Sequence, residues 1–528
     1  MRRFAWIAAL LASCTAQQDA AAPIASTASQ TPGRCAALVG RDFGPGIAIT
    51  EASEMAPAAP GTVRNGPGGP LASGLPAYCS VKGVIDQRTG AGGKTYGIKF
   101  ALALPDQWSG RFLLMGGGGL NGSIPAPYGP VAAGAVPALA RGFAVVGHDS
   151  GHEGAVFDDS FSKDQRAALD FAETSVHTVT VAGKAITSAY YGQHIAHSYM
   201  TGCSTGGREG MLAIERYPEL FDGVVIGAPA MRTGDSNLAL AKLAVDLNQA
   251  APRDKDGLPI VSQIFSAADR QTILKGMLDK CDSLDGLADG MIENVAQCHF
   301  QPRKLTCAKG QTANCLSAAQ ADALDKAFQP PRDAAGNALY APFPYDTGDV
   351  ATGPGLPGII PSGAPGVFGP ASRDLTIDVD ARIRDVRANA MQRLTDTNYW
   401  TNLNTFLDHG GKTLFYHGVS DFWFSPLATW DWYQRAAQTN GAVFTDASRF
   451  YMVPGMLHCQ GGNSFDQFDL LSKMVDWVEK GEAPHDVIAS RRDGSARRPL
   501  CPYPSHAHYL GGDVTKPESF ECRAPAAS

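Results

Sequence analysis

The sequence predicts an α/β protein, a mostly parallel β-sheet with helices packed on it, interrupted by one large and mostly helical insertion. Three observations carry this expectation. Short apolar segments that read as strands alternate with helical segments from about residue 79 to residue 230, the rhythm of βαβ units. The same rhythm returns only at Lys412-Thr413-Leu414-Phe415-Tyr416 and runs to the C-terminus. Between them lies a different texture, with amphipathic helices, four closely spaced cysteines and a Gly/Pro-rich stretch over 347–369. A long insertion at the carboxyl edge of a parallel sheet usually covers a site as a lid.

Taken in order, the chain opens with Met1-Arg2-Arg3 and an apolar run to Ala12, a charged and then hydrophobic export signal. Its ending, Leu11-Ala12-Ser13-Cys14, resembles the lipobox of bacterial lipoproteins, so residues 1–13 are expected to be removed and Cys14 to be lipidated. The alternative is a plain secretory signal cut further on. The protein is therefore expected in the periplasm or anchored to an outer membrane, or else secreted, and no later run of 18 apolar residues offers a second membrane contact. Residues 14–75 read as a tether and arm, 76–230 with 406–528 as the catalytic sheet domain, and 231–405 as the lid.

Strands are expected at 96–104, 111–115, 143–146, 198–201, 412–416 and 449–453. Helices are expected at 131–140, 167–191, 208–216 and 468–480. The net charge is −7, or −9 once the two signal arginines are gone, and no Lys/Arg cluster exists. This excludes a nucleic-acid partner.

Setting Cys14 aside leaves ten cysteines, an even number that suits an exported chain and leads to an expectation of five disulfides. The gaps within 281/298, 307/315 and 501/522 are too long for a zinc cluster and favour local disulfides.

The sharpest local signal is Gly202-Cys203-Ser204-Thr205-Gly206, a G-x-S-x-G run between a strand and a helix. Such a turn is so tight that only small residues fit around a nucleophile lifted into reach of a base. Ser204 is the candidate nucleophile, and the fold becomes the α/β-hydrolase fold with a helical lid. A serine hydroxyl needs a histidine and an orienting carboxylate, which in this fold follow the serine in the order acid, then base. The strand at 412–416 runs into His417-Gly418-Val419-Ser420-Asp421, and that at 449–453 into Pro454-Gly455-Met456-Leu457-His458-Cys459. Asp421 is the candidate acid and His458 the candidate base, with Asp408 and His417 as substitutes; His148 and His152 precede the serine and fall out of order.

If Ser204 and His458 meet, their neighbours Cys203 and Cys459 come within bridging distance. That disulfide would span 256 residues, a loop worth about 5 kcal/mol in a chain-entropy model whose mechanism is disputed. The oxyanion donors are expected to be the backbone N–H of Thr205 and that of Gly119, the last of the run Gly116 to Gly119. The loop after Cys281 holds Asp282, Asp285 and Asp289, hard oxygen ligands that point to structural calcium, completed by the carbonyls of Leu287 and Met291. A solvated acidic turn is the competing explanation.

Together these residues resemble the tannase and feruloyl esterase family of α/β-hydrolases, whose members carry a Cys-Ser and His-Cys pair joined beside the triad and a calcium site in the lid. The resemblance runs from about Cys79 to Cys522. It implies roles for Cys203, Ser204, Asp421, His458 and Cys459, calcium at the five loop positions, and the pairings Cys35/Cys79, Cys281/Cys298, Cys307/Cys315 and Cys501/Cys522. It also implies a small aromatic ester as substrate, feruloyl, galloyl or terephthaloyl in type.

A narrower likeness to a terephthaloyl-type member rests on the Gly-rich loop, the calcium loop and Leu500-Cys501-Pro502-Tyr503-Pro504. It is weakened by Thr205, which stands where that member has an acidic residue, and by the lack of an assignable arginine for a substrate carboxylate. Arg373 reads as a surface residue. Phe422, Trp423, Phe424, Tyr399, Trp400 and Phe406 are aromatic residues that would either stack on an acyl group or pack in the core. The other functional readings are a peptidase or thioesterase on the same fold, or a lipid-anchored binding protein with a decayed triad.

Overall fold

The computed structural model describes residues 33–64, 70–129, 136–350, 359–360 and 372–526. Cys14, the first half of the 131–140 helix and most of the Gly/Pro-rich stretch lie outside them.

Nine strands form one sheet in the order β1-β2-β3-β5-β4-β6-β7-β8-β9. They are β1 (Ile47–Met55), β2 (Tyr78–Thr89), β3 (Thr95–Pro105), β4 (Arg111–Met115), β5 (Ala144–His148), β6 (His197–Cys203), β7 (Gly223–Gly227), β8 (Lys412–Gly418) and β9 (Ser448–Val453). From β5 to β9 the neighbours are parallel, whereas β1, β2 and β3 pair antiparallel and β3 joins β5 antiparallel. The central strands are apolar runs because both faces are covered: β5 and β7 are buried at every residue. One hydrophobic cluster fills each face of the sheet.

The expected strands all appear. β1, however, lies inside the segment read as tether and arm, so the sheet starts earlier than the sequence indicated. It is an edge strand with most residues exposed or half-exposed, and it lacks the alternation that marks a half-buried strand. The helix expected over 167–191 is an unbroken run of Gln165–Leu169, a π-helical turn at Asp170–Thr174, and Ser175–Tyr191. Of the 131–140 helix the described residues retain one 3-10 turn at Leu139–Arg141.

Between β7 and β8 no described residue adds a strand to the sheet. The chain forms helices there at Thr233–Ala250, Ala267–Cys281, Ala318–Ala327, Val379–Ala388, Ala390–Leu394 and Asn404–Asp408. Five disulfides join Cys35 to Cys79, Cys203 to Cys459, Cys281 to Cys298, Cys307 to Cys315 and Cys501 to Cys522. They fit an oxidising, extracytoplasmic compartment. Among the described residues no helix is long and apolar enough to cross a membrane.

The register aligns the parallel strand ends on one edge. Met115 pairs with Thr201, Cys203 with Gly227, Gly227 with Tyr416, and Gly418 with Val453. The loops leaving β4, β6, β8 and β9 therefore emerge side by side, where an open parallel sheet places its ligand crevice.

Candidate active site

Ser204 occupies the turn between β6 and the helix Thr205–Arg216, with φ 64° and ψ −122°. That backbone is strained for a residue with a Cβ, and strain of this kind collects at functional sites. The turn is held by Ser204 N–H donating to the Gly227 carbonyl (3.1 Å) and by Ala230 N–H donating to the Ser204 carbonyl (3.0 Å). The flanking glycines are required by contact: a Cβ on Gly202 would lie 2.4 Å from the Gly206 carbonyl oxygen, and one on Gly206 2.7 Å from that of Gly117.

Asp421 and His458 meet as expected from their strand ends. His458 Nδ1 and Asp421 Oδ2 are 2.7 Å apart, and both side chains are buried. Asp421 Oδ1 accepts from the N–H groups of Trp423 (2.8 Å) and Phe424 (3.1 Å). Burial alone would raise this carboxyl, but the charge of His458 and hydrogen bonds from His417 and His458 hold it far below the ordinary carboxylate range. His458 Nε2 is buried with no partner among the described residues, so it is available as an acceptor and the structure forms no bond from it to Ser204. The Cys203–Cys459 disulfide, with Cα atoms 6.0 Å apart, ties the residue before Ser204 to the residue after His458.

The substitutes fall elsewhere. Asp408 ends a helix on the surface. His417 is buried against the same oxygen of Asp421 that His458 meets: its Nε2 lies 3.1 Å from Asp421 Oδ2 and 3.0 Å from the Phe424 carbonyl, and its Nδ1 3.0 Å from the Thr429 hydroxyl. Two acceptors at Nε2 require the proton there, so Nδ1 accepts from Thr429. His417 thus supports the carboxylate and has no ring nitrogen free to act as base.

At the oxyanion side, Thr205 begins its helix, where the backbone N–H has no intrahelical partner. The Thr205 hydroxyl donates to the Gly119 carbonyl, joining the two expected donor segments. Gly119 has φ 58°, and a Cβ there would sit 2.6 Å from the Val156 carbonyl oxygen. The loop is fixed from below by a residue the sequence reading missed. Glu209, fully buried, accepts from Gly117 N–H (2.8 Å) and from the Asn121 side-chain amide (2.9 Å), with Ser150 Oγ 3.4 Å away. His148, out of order as a base, lies with Nε2 3.9 Å from Glu209, and burial lowers its pKa. His152 stacks on Phe161 with centroids 3.7 Å apart. Glu209 lies in the second turn of the elbow helix, five residues after Ser204, and nothing in the local spacing marks it.

Of the aromatic residues, Trp423 and Phe424 flank His458, with ring centroids 4.7 and 5.4 Å from the imidazole. Phe157, also missed, meets Trp423 edge-on at 6.1 Å and is half exposed. Phe406 packs in the core, and Tyr399 and Trp400 face solvent. Arg373 pairs with Asp254 and belongs to the surface.

The acidic loop is closed by Cys281–Cys298. Asp282 accepts from the N–H groups of Asp289 (3.1 Å) and Gly290 (3.0 Å), Asp285 Oδ1 accepts from Leu287 N–H (2.9 Å), and Asp289 pairs with Arg498 (2.6 Å). Arg498 also pairs with Glu293 (2.9 Å). Met291 is fully buried beside them. Among the described residues no three His, Cys, Asp or Glu side chains are gathered as a ready metal cage. The second oxygen of Asp285, however, is buried without a partner among the described residues, and burial pushes this carboxyl up to about 7. A hard cation would satisfy that oxygen, so the all-oxygen set fits calcium at Asp285, with Asp289 already neutralised by Arg498.

Replacing Glu209 by glutamine is expected to lower kcat by about 10- to 100-fold with KM little changed, since one misplaced oxyanion donor costs up to about 10²–10³. Steady-state kinetics on an ester substrate checks this, and an unchanged kcat would remove Glu209 from the support of the glycine loop.

The family model for tannase and feruloyl esterase matches residues 79–359 and 366–523. The chain is 36% identical to a mono(2-hydroxyethyl) terephthalate hydrolase from Piscinibacter sakaiensis, over 90% of this chain and 89% of that one. It is 32% identical to a probable feruloyl esterase B from Aspergillus clavatus, over 79% and 82%. Feruloyl esterase B from Aspergillus oryzae superposes with a TM-score of 0.73 at 27% identity, over 93% of this chain and 99% of that one. Tannin acyl hydrolase from Aspergillus niger shares the fold, with a TM-score of 0.66 at 20% identity, over 93% and 94%. With its parallel sheet, its serine elbow and these relatives, the chain belongs to the tannase and feruloyl esterase family, carboxylic ester hydrolases on the α/β-hydrolase fold.

Proposed function

We propose that this chain is an exported serine esterase that hydrolyses esters of aromatic acids through Ser204, His458 and Asp421. The observation that carries the reading is the buried Asp421–His458 pair, 2.7 Å apart, bridged by the Cys203–Cys459 disulfide to the strained Ser204 turn. Ser204 Oγ attacks the ester carbonyl while His458 Nε2 takes its proton and Asp421 keeps the imidazole in the tautomer that leaves Nε2 free. The N–H groups of Thr205 and Gly119 hold the tetrahedral oxyanion. His458 then gives the proton to the departing alcohol, and a water activated by the same nitrogen releases the acid.

Trp423 and Phe424 beside His458, with Phe157 against Trp423, offer flat apolar faces for an aromatic acyl group. The names of the similar proteins, a feruloyl esterase and a mono(2-hydroxyethyl) terephthalate hydrolase, support an aromatic acid as the acyl group, of feruloyl, galloyl or terephthaloyl type in this reading. The test is a panel of methyl ferulate, methyl gallate, mono(2-hydroxyethyl) terephthalate and a short aliphatic ester, with Ser204→Ala as control. Turnover of an aromatic ester supports the reading. Activity on the aliphatic ester alone sinks the aromatic part, and cleavage of an amide or thioester in preference to every ester moves the chain to the peptidase or thioesterase reading.

The insertion between β7 and β8 acts in this reading as a lid, and its loop at Asp282, Asp285, Leu287, Asp289 and Met291 holds structural calcium. Bound calcium would neutralise the carboxylates and order the loop; no chemical step uses it. Chelation is expected to lower Tm by several degrees, since a ligand present at about a hundredfold its Kd stabilises by about 2.7 kcal/mol. Calorimetry with and without chelator checks this; an unchanged Tm together with no calcium in the purified protein would return the loop to a solvated acidic turn. Lipidation at Cys14 follows from the N-terminal sequence and is tested by the mass of the mature N-terminus.

A further inference from the structure

We propose that Asp346, in the helical insertion, is a positioning residue that sets the triad's acid and base against each other by holding both of their loops on one carboxylate. The inference rests on the triad reading above. Asp346 is fully buried and touches neither Ser204 nor His458 directly by hydrogen bond among the described residues. Its Oδ2 accepts from the hydroxyl of Ser420 (2.8 Å), the residue preceding Asp421, and from the N–H of Gly455 (2.6 Å), in the loop that carries His458. Its Oδ1 accepts from Thr347 N–H (2.8 Å).

The turn that presents this carboxylate is packed flush against both loops. A Cβ on Gly348 would lie 2.5 Å from Ser420 Oγ and 2.7 Å from the Gly455 carbonyl oxygen, so no side chain can separate the insertion from them. The loops also bond each other, through Ser420 N–H to the Met456 carbonyl (3.0 Å) and Val419 N–H to the Val453 carbonyl (3.0 Å). Asp346 is therefore the third side of a small closed framework whose other two sides carry Asp421 and His458.

A second carboxyl lies in the same turn. Asp349 Oδ2 accepts from Asp346 N–H (2.8 Å), while its other oxygen is buried with no partner among the described residues. Burial and the neighbouring charge of Asp346 raise Asp349 well above the ordinary carboxylate range, and burial also raises Asp346, against the hydrogen bonds it accepts from Ser420, Gly455 and Thr347. The three donors on Asp346 favour its charged form over that of Asp349, which accepts from one N–H. Hydrogen bonds to a charged group are the stronger kind, and a framework of them resists the displacement of about 1 Å that costs a catalytic site about 10²-fold.

The experiment compares Asp346→Ala, Asp346→Asn, Ser420→Ala and the double variant Asp346→Asn/Ser420→Ala in the full-length protein. It reads kcat and KM on the best ester of the panel, the rate of Ser204 phosphonylation by a fluorophosphonate, and the thermal midpoint. Asp346→Ala is expected to lower kcat by about 100-fold with KM within about twofold. Asparagine keeps one acceptor oxygen and is expected to lose only about tenfold, as is Ser420→Ala. The double variant is expected within about twofold of the worse single one, because both remove the same link. Phosphonylation should slow in parallel with kcat.

Wild-type phosphonylation rates in Asp346→Asn and Ser420→Ala, losses confined to KM, or effects that multiply in the double variant would each overturn the proposal. If Asp346→Ala does not fold, the other three variants decide. A wild-type enzyme that fluorophosphonate does not label would overturn the triad reading itself, an outcome distinct from labelling that is merely insensitive to Asp346.

Discussion

Replacing Ser204 by alanine is expected to lower kcat on every ester the enzyme turns over by about 10⁶-fold, the loss typical of removing the nucleophile of a triad whose members act as one unit. The folded state should not suffer. Among the described residues no hydrogen bond of the hydroxyl holds the turn; the turn is held by the backbone of Ser204 through Gly227 and Ala230. Alanine keeps the same φ of 64° and the same strain. Glycine at this position removes the Cβ that makes the conformation costly, so Ser204→Gly is expected to be equally inactive yet more stable by about 1 kcal/mol, the balance of relieved strain and added chain entropy. Active-site titration with a fluorophosphonate and denaturant unfolding separate the two effects. Residual activity above about a thousandth of wild type in a preparation free of contaminating esterase would mean that another residue is the nucleophile.

What the sequence disclosed of this site follows a physical division. Ser204 was legible because a sharp strand-to-helix turn dictates small residues within a few positions, and the contacts at Gly202 and Gly206 explain why. Asp421 and His458 were legible because each follows an apolar parallel strand, and the sheet register turns adjacency of strands into adjacency of loops. The Cys203–Cys459 bridge was legible as a consequence of those two placements. Glu209, Asp346 and Phe157 were not, since each acts through contacts between distant segments that leave no spacing in the chain. Asp346 reaches residues 74 and 109 positions away. The acidic loop shows both sides of the division: its aspartates are local, but the cation that neutralises Asp289 is Arg498, 209 residues on. β1 escaped because an exposed edge strand need not alternate, and its partner β2 begins only at Tyr78.

Asp421→Asn is expected to lower kcat by about 10⁴-fold, through the tautomer of His458 rather than through loss of the fold. The reason lies in the asymmetry of the carboxylate. Oδ1 accepts from two backbone N–H groups, of Trp423 and Phe424, so the oxygen of an asparagine amide must occupy that position. Its NH₂ then faces His458 Nδ1 and His417 Nε2, where the carboxylate offered an acceptor. His458 must answer with an unprotonated Nδ1, which puts its proton on Nε2, the nitrogen that has to receive the proton of Ser204. His417 is driven the same way, breaking its bond to the Phe424 carbonyl or to Thr429. The pH dependence has a definite sign. Asp421 is held below its unfolded pKa, so its contribution to stability is complete above about pH 4 and is lost as pH falls below it. The stability difference between wild type and Asp421→Asn should therefore shrink as pH falls below about pH 4. A loss smaller than about tenfold in Asp421→Asn would show that another carboxylate orients the base.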